Sequence, residues 1–410
     1  MLKFLKIYNT YLILFSVVLA IVLGSIVPKI FSNIIFLGDI FIDLLKLFAL
    51  PLICSALIAS LGNMSNNLRN VKSLASGAIG YMLLSEIIAV TIALLLFNIF
   101  KPGVGLDPNL ILQGKPYVAH NREVLSLSNF LQSIVPHNIF DSLAKFDLLP
   151  VVIFSIMFGI GCAVVGDKSK PVVSFVTAVR DISSTCLHGV MLLSPLGIFV
   201  LVGNGVAESS LNGALTHNFA ALIKFVGILF IGLFFHGLWQ FILVIITSRS
   251  NPLHVFKASI PVLGAAFATS SSVATLPSAM DAADSLKSNP NVTRFMLPLC
   301  ASINIGGMMM YEVAAALFFS QMLGFDLSLG HQILLALACI LGGMAEGGIP
   351  ETSLVSLVVV FKIVHVPLTA ISILLPLDRL IDRFRTMVNI FGNMCGVIIV
   401  SQLLLRLHRR

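Results

Sequence analysis

The residues best suited to chemistry lie in the last long apolar stretch of the chain, residues 371–400. Five polar side chains recur there at helical spacing: Asp378, Asp382, Arg385, Asn389 and Asn393. At about 100° per residue they fall within an arc of about 80° on one face of a helix. A guanidinium can bind a carboxylate through two donors, and a carboxylate can bind an ammonium group. This face can therefore bind a zwitterion, with Arg385 contacting the carboxylate of the ligand and Asp382 contacting its ammonium group.

The stretch that carries this face is long and apolar enough to span a membrane. Charged side chains at membrane depth cost roughly 3 kcal/mol each, so they are rare and tend to mark functional sites. The competing interpretation is that these charges pair with each other and only hold helices together. The length of the polar face favours a binding site.

The composition indicates an integral membrane protein built from helices. Of 410 residues, 58% are hydrophobic and 10% are charged, and the mean hydropathy is +1.02. Long apolar runs of this kind indicate helices rather than a barrel, and the core of a water-soluble protein would not need them. The net charge of +7 does not indicate nucleic-acid binding, because lysine and arginine lie at span ends. The cysteines lack metal-ligand spacing, so we expect no metal site and no disulfide framework.

The apolar runs predict six spans before residue 250, at about 11–28, 35–62, 73–100, 148–165, 172–204 and 219–247. A polar segment, 101–147, and a loop without lysine or arginine, 205–218, separate some of them. If the amino terminus is cytoplasmic, the main cationic residues fall on the cytoplasmic side, as membrane topology rules expect. These residues are Arg69, Lys72, Lys168, Lys170, Arg249, Lys257, Arg406, Arg409 and Arg410.

Beyond residue 257 the regular spans are interrupted. Small polar residues, Ser270–Ser272, divide the stretch 258–286, and a glycine-rich centre divides 334–361. Between them a helix is broken at Asn304–Gly307. Irregular backbone survives at membrane depth only when it is buried in protein or lines a cavity, and paired broken segments indicate a transporter site. The alternative is a pair of glycine- and serine-rich helix-packing motifs.

Four motifs resemble those of the dicarboxylate/amino acid:cation symporters, the family of the excitatory glutamate transporters and their archaeal aspartate-transporting relatives. They are the serine-rich hairpin ending in Thr275-Leu276-Pro277, NIGGMMMYE at 304–312, GGIP at 347–350, and DRFRTMVNIFGN at 382–393. The resemblance covers most of the chain and is strongest from about residue 260 onward.

The resemblance implies an all-α integral membrane fold of eight transmembrane helices plus two re-entrant helical hairpins, at about 255–286 and 332–363. It implies a scaffold, residues 1–72 and 101–204, and a mobile transport domain, residues 73–100 and 205–410. It also implies a homotrimer in a lipid bilayer, in which the transport domain of each protomer moves across the membrane in an elevator-type mechanism.

The resemblance also implies roles for individual residues. Arg385 would bind the side-chain carboxylate of the substrate and Asp382 its amino group, and Thr386 and Asn389 would line the pocket. Two serines and the turn of the second hairpin would bind the main-chain carboxylate of the substrate and close the gate over it. These residues are Ser271, Ser272, Gly348, Ile349 and Pro350. Arg383 matches an arginine of animal members near the serine hairpin.

The chain departs from the sodium-coupled members of the family at several positions. Asn304 is kept, but Gly306 and Met308 stand where those members carry aspartate and threonine, and Asn393 replaces a further aspartate. A sodium ion needs oxygen ligands and negative charge to offset its dehydration. The altered positions therefore weaken the case for sodium.

Three glutamates are candidates for carrying a proton instead. Glu86 and Glu346 stand where hydroxyl residues are usual, and Glu312 matches a proton-carrying glutamate of animal members. Burial disfavours the charged form of a carboxyl group, so a buried glutamate can carry a proton near neutral pH. Alternatively, Glu86 could pair with a lysine or arginine, and Glu346 could be solvated at the hairpin tip.

We therefore expect a proton-coupled, sodium-independent importer of glutamate or aspartate, without a prosthetic cofactor and without enzymatic activity. A C4-dicarboxylate is the second choice of substrate and a neutral amino acid the third, and sodium coupling is the alternative. The expected location is the plasma membrane, by preference a bacterial inner membrane, with both termini cytoplasmic. Two further classes are an ion channel and a hydrolase that uses a hairpin serine. The hydrolase needs a nearby base, and we expect the histidines to lie in loops or at span ends.

Overall fold

The computed structural model describes residues 2–62, 72–108, 111, 138–145, 148–211, 215–248, 251–343 and 353–407. All regular secondary structure in these ranges is helical. The α-helices in chain order are α1 Leu2–Ile26, α2 Pro28–Gly62, α3 Lys72–Phe100, α4 Ile139–Lys145, α5 Leu148–Val165, α6 Lys170–Met191, α7 Ser194–Leu211, α8 Leu215–Ser248, α9 Pro252–Thr269, α10 Leu276–Ser285, α11 Pro290–Ile303, α12 Gly306–Met322, α13 Leu329–Gly343, α14 Ser353–Ile363 and α15 Ile371–Leu407. Short 3-10 turns cover Gly166–Ser169 and Leu368–Ala370.

Several of these helices are long and apolar enough to cross a membrane. Within the described ranges the clearest stretches are Ser76–Phe100, Ala220–Ser248, Pro290–Met322 and Leu377–Leu405. They lie in α3, α8, α11 with α12, and α15. The chain is therefore an α-helical membrane protein, as its composition predicts.

Most predicted spans are present as helices, but the fifth is wrong. The predicted spans 73–100 and 148–165 correspond to α3 and α5 within one residue. The predicted span 172–204 is divided between α6, which ends at Met191, and α7, which begins at Ser194. Pro195 has no backbone N–H and fits the first turn of a helix, so the chain starts a new helix there.

The loop predicted at 205–218 is also shorter than expected, because α7 continues to Leu211. The sequence that follows Gly205 has no proline to stop the helix. The next helix, α8, already begins at Leu215.

The helices pack in two groups. In the first, α1 packs against α7, and α2 packs against α5, α6 and α7. The contact between α2 and α7 is close, since a Cβ on Gly203 would lie 1.9 Å from a ring carbon of Phe31. In the second, α8, α9, α11 and α3 pack against α15, and α12 packs against α3. Every residue of α12 is buried, so this helix forms the centre of the second group.

The irregular points predicted between helices are present. Thr269 ends α9, and Ser270 adopts a left-handed conformation with φ of 51° before α10 begins at Leu276. Asn304 and Ile305 leave the helical conformation between α11 and α12. The glycine-rich centre between α13 and α14 falls at 344–352, outside the described residues.

Candidate functional site

Arg385 is the centre of a buried charged cluster on α15. Its side chain is 1% exposed, and its Nη2 donates to Asp378 at 2.9 Å and to Asp382 at 3.1 Å. Asp378, Asp382 and Arg385 follow one another at one-turn intervals, so a single helix face brings them together, as their spacing predicts. The pairing of charges with each other, which was the competing interpretation of this face, is thus present here.

Two residues of α12 border this cluster. The guanidinium carbon of Arg385 lies 4.3 Å from the centroid of the Tyr311 ring, within the range of a cation–π interaction. At the start of the same helix, the backbone N–H of Gly307 donates to Asn389 Oδ1 at 2.8 Å. The break before α12 therefore provides a backbone donor to the polar face of α15.

A serine from α14 completes the cluster. The hydroxyl of Ser353 lies 3.1 Å and 3.0 Å from the two carboxylate oxygens of Asp378. Ser353 is 1% exposed. This contact joins the first residue of α14 to α15, and sequence reasoning missed it because 25 residues of chain separate the two side chains.

The cluster contains two carboxylates for one guanidinium. Removing charges from water is expensive, and the cost is offset only when they are paired and hydrogen-bonded. Here Asp378 has donors from both α14 and α15, and Arg385 has carboxylate partners on two successive turns. The arrangement can offer a positive group and a negative group to the same ligand.

The serine-rich turn lies beside this helix but bonds mainly within itself. Ser271 Oγ accepts from the backbone N–H of Ala274 at 3.3 Å, and Thr275 Oγ1 donates to the Ser271 carbonyl at 2.7 Å. Ser272 is 4% exposed. The turn is connected to α15 through Arg383, whose Nη1 donates to the Phe267 carbonyl at 2.9 Å. Of the other pocket residues, Thr386 is buried next to Arg385.

The altered cation positions form a second polar region at the break between α11 and α12. Asn304 Nδ2 donates to Asn393 Oδ1 at 2.7 Å, so two of the four positions are in direct contact. Gly306 faces α8, since a Cβ there would lie 3.0 Å from His236 Nε2. Met308 is buried in the apolar core.

The two candidate proton carriers within the described ranges, Glu86 and Glu312, are both fully buried. Neither carboxylate oxygen of Glu86 has a hydrogen-bond partner among the described residues. The ion pairs found in that part of the chain also do not include Glu86, so the pairing with lysine or arginine is not seen there. Glu346, Gly348, Ile349 and Pro350 lie outside the described residues.

Sequence reasoning missed a buried polar network on α8 and misplaced one histidine. His236 lies within α8 and is 1% exposed, so the expectation that the histidines lie in loops or at span ends is wrong for this residue. Gln240 Nε2 lies 2.9 Å from His236 Nε2 and 3.4 Å from Ser85 Oγ. A histidine and a glutamine four residues apart in an apolar span were the available signal, because such residues share one helix face.

A buried charged cluster beside broken helices in an α-helical membrane protein is typical of a secondary carrier. A model of the sodium:dicarboxylate symporter family matches residues 10–403, and the chain belongs to this family. The class is that of carriers rather than enzymes, as predicted, and the predicted resemblance is confirmed.

Individual relatives of the chain are similar over nearly its whole length. A protein named proton/sodium-glutamate symport protein from Geobacillus stearothermophilus is 30% identical, covering 97% of this chain and 94% of the relative. The proton/glutamate-aspartate symporter of Escherichia coli is 28% identical, covering 98% and 94%. A C4-dicarboxylate transport protein of Bacillus subtilis is 28% identical, covering 96% and 93%.

Proposed function

We propose that this chain is a secondary active symporter that imports an acidic amino acid, glutamate or aspartate, together with protons and independently of sodium. The observation that carries the proposal is the buried Arg385 guanidinium, which is bonded to carboxylates on two successive turns of α15. The names of the relatives, glutamate and glutamate-aspartate symporters, agree with this substrate class.

In this proposal the substrate exchanges with the protein's own carboxylate. Arg385 releases Asp378 in part and binds the substrate's side-chain carboxylate, while Asp382 binds the substrate's amino group. Both groups are needed because the substrate carries charges of opposite sign. Each of the two ionic interactions is strong only where water is excluded.

The remaining pocket residues have supporting roles. Thr386 and Asn389 line the pocket on the same helix face. Ser271 and Ser272, with Gly348, Ile349 and Pro350, hold the main-chain carboxylate and close the site. The tie from Arg383 to the Phe267 carbonyl supports this assignment, because it keeps the serine turn close to α15.

Protons are proposed as the coupling ion for two reasons. Gly306 and Met308 offer no side-chain oxygen and Asn393 offers only an uncharged one, so these positions lack the negative charge that offsets the dehydration of a cation. Glu86 and Glu312 are buried carboxyl groups that can bind and release a proton. Glu346 is a third candidate. No prosthetic cofactor is proposed.

The proposed architecture has eight transmembrane helices and two re-entrant hairpins, formed by α9 with α10 and by α13 with α14. The packing of α1, α2 and α5–α7 with one another supports their assignment to a scaffold. The packing of α3 and α8–α15 around α15 and α12 supports a transport domain that moves as a unit. We propose a homotrimer in the plasma membrane, by preference a bacterial inner membrane, with both termini cytoplasmic.

The test is uptake of labelled aspartate and glutamate into proteoliposomes at a fixed membrane potential. An inward proton gradient is expected to drive accumulation without sodium, and substrate loaded inside is expected to accelerate uptake by exchange. A sodium requirement at fixed pH, with no response to a proton gradient, would reject proton coupling. A non-saturable flux without exchange would indicate a channel.

One observation adds a second substrate class to this experiment. The relative named a C4-dicarboxylate transport protein is about as similar as the glutamate-aspartate relative, so succinate and malate are included as competitors. Competition by these acids at lower concentrations than aspartate would reassign the substrate. Sodium dependence of the same uptake would favour a sodium-coupled symporter.

A further inference from the structure

Ser353 bonds to Asp378 but is not part of the proposed substrate-binding or proton-carrying residues. The Ser353 hydroxyl is within 3.1 Å of both carboxylate oxygens of Asp378, and the two residues are 1% and 3% exposed. A hydroxyl has a single hydrogen, so it donates to one of these oxygens at a time. Among the described residues, Ser353 on α14 and Arg385 on α15 donate to Asp378, and the hydroxyl of Tyr311 on α12 also interacts with this carboxylate.

Ser353 reaches Asp378 from a different helix than Arg385 does. Ser353 lies on α14, whereas Arg385 lies on α15 together with Asp378. The hydrogen bond from the Ser353 hydroxyl therefore does not depend on the position of the Arg385 guanidinium.

The contact matters when Arg385 turns to the substrate. In the substrate-free site, Arg385 Nη2 donates a hydrogen bond to Asp378 Oδ1 at 2.9 Å. If Arg385 transfers part of its hydrogen bonding to a substrate carboxylate, Asp378 loses a donor while it stays buried. Leaving a buried carboxylate short of donors is costly, so at this step the hydrogen bond that Asp378 keeps from Ser353 becomes more important.

We propose that Ser353 is a positioning residue for substrate binding, because its hydroxyl keeps Asp378 hydrogen-bonded when Arg385 binds the side-chain carboxylate of an acidic amino acid. This inference rests on the proposed function, since it requires that Arg385 binds the substrate. The hydroxyl is then more important in the substrate-bound state than in the substrate-free state, in which Arg385 also holds Asp378.

The experiment compares Ser353→Ala, Ser353→Thr and Ser356→Ala in aspartate uptake by proteoliposomes and in thermal unfolding in detergent. Ser356 is the matched control, because it is a buried serine one turn further along α14 whose hydroxyl, among the described residues, bonds to the Ser353 carbonyl and not to Asp378. Loss of a hydrogen bond to a charged group predicts that Ser353→Ala raises the KM for aspartate about tenfold. The maximal rate is expected to change less than about twofold, because the loss falls on binding.

Further variants separate a positioning role from a structural one. Ser353→Thr keeps a hydroxyl and should restore most of the affinity, and Ser356→Ala should behave like the parent protein. In an Asp378→Asn background, Ser353→Ala should no longer raise the KM, because the charge that needs the hydroxyl is gone. If Ser353→Ala does not fold, Ser353→Cys, a weaker donor of similar size, takes its place with the same expected result.

The outcomes distinguish this inference from the proposed function. An unchanged KM in Ser353→Ala, or an equal increase in the Asp378→Asn background, overturns the role of Ser353. A fall in melting temperature without a change in KM also overturns it, since that is the result of a structural role alone. If Arg385→Lys binds aspartate as tightly as the parent protein, the proposed substrate site itself fails.

Discussion

Arg385 and Asp378 form an ion pair of 2.9 Å in which the two side chains are only 1% and 5% exposed. Asp378 thus accepts a hydrogen bond from the same guanidinium that is proposed to bind the carboxylate of the substrate. In this proposal, substrate binding is an exchange of two carboxylates on one buried guanidinium. Such an exchange keeps the guanidinium paired in both states, which lowers the cost of burying it.

Arg385→Ala should lower the free energy of unfolding by about 3–5 kcal/mol, because it removes the cation that is paired with the buried Asp378 and the partly buried Asp382. It should also abolish aspartate binding. Adding Asp378→Asn should restore part of the stability but none of the binding. Thermal unfolding in detergent, with and without aspartate, measures both effects. Stabilisation of Arg385→Ala by aspartate at parental concentrations would contradict the proposed site.

Glu86→Gln and Glu312→Gln should each be tested for loss of proton coupling, since glutamine keeps the size of the side chain but cannot titrate. Removing a proton carrier should abolish accumulation driven by a proton gradient, while exchange of internal for external substrate continues. Asp39→Asn, at an exposed position of α2, is the control for loss of a carboxylate. Proton-driven accumulation at parental rates in both glutamine variants would contradict the assignment of these two residues.

Gly306→Ala should destabilise the protein by about 1–3 kcal/mol through overpacking. A Cβ at this position would lie 3.0 Å from His236 Nε2 and 3.1 Å from the Ala89 Cβ. Gly227→Ala on α8 is the matched control, because a Cβ there has nothing within 4 Å. The melting temperatures of the two variants give the comparison, and equal values would show that the α8–α12 contact has room for a methyl group.

Arg383→Ala should loosen the serine-rich turn, because Arg383 donates to the Phe267 carbonyl at 2.9 Å and lies 5.4 Å from the Phe267 ring centroid. Hydrogen exchange should become faster for amides near Phe267–Thr275 and stay unchanged in α12, which is buried throughout. Unchanged exchange at the turn would mean that its own hydrogen bonds are sufficient to hold it.

The sequence predicted the polar face of α15 correctly because helical spacing alone decides which side chains share a face. It also predicted the breaks at Ser270 and Asn304, since glycine, proline and small polar residues interrupt an apolar span wherever they cluster. The division of the fifth span was missed because Pro195 lies within an otherwise apolar run, where length dominated the prediction.

The contacts between distant helices could not be predicted from spacing. Tyr311 stacks on Arg385 and Ser353 binds Asp378 only because α12 and α14 pack against α15. The same holds for His236, whose place beside Gly306 depends on the packing of α8 against α12. A single sequence carries no distance information of this kind, so these partners appear only in three dimensions.

The complete burial of α12 has a consequence for how the chain is synthesised. The most apolar 18-residue window of Pro290–Met322 has a mean hydropathy of 1.3, against 2.3, 2.2 and 1.8 for the windows of the other three spans. A segment of this polarity is a weak substrate for insertion on its own, since its polar groups are accommodated by neighbouring helices rather than by lipid. A nascent chain that ends before Ile371 lacks α15. We expect such a chain to retain this segment in the membrane poorly, with Asn304 and Glu312 facing lipid until α15 has been inserted.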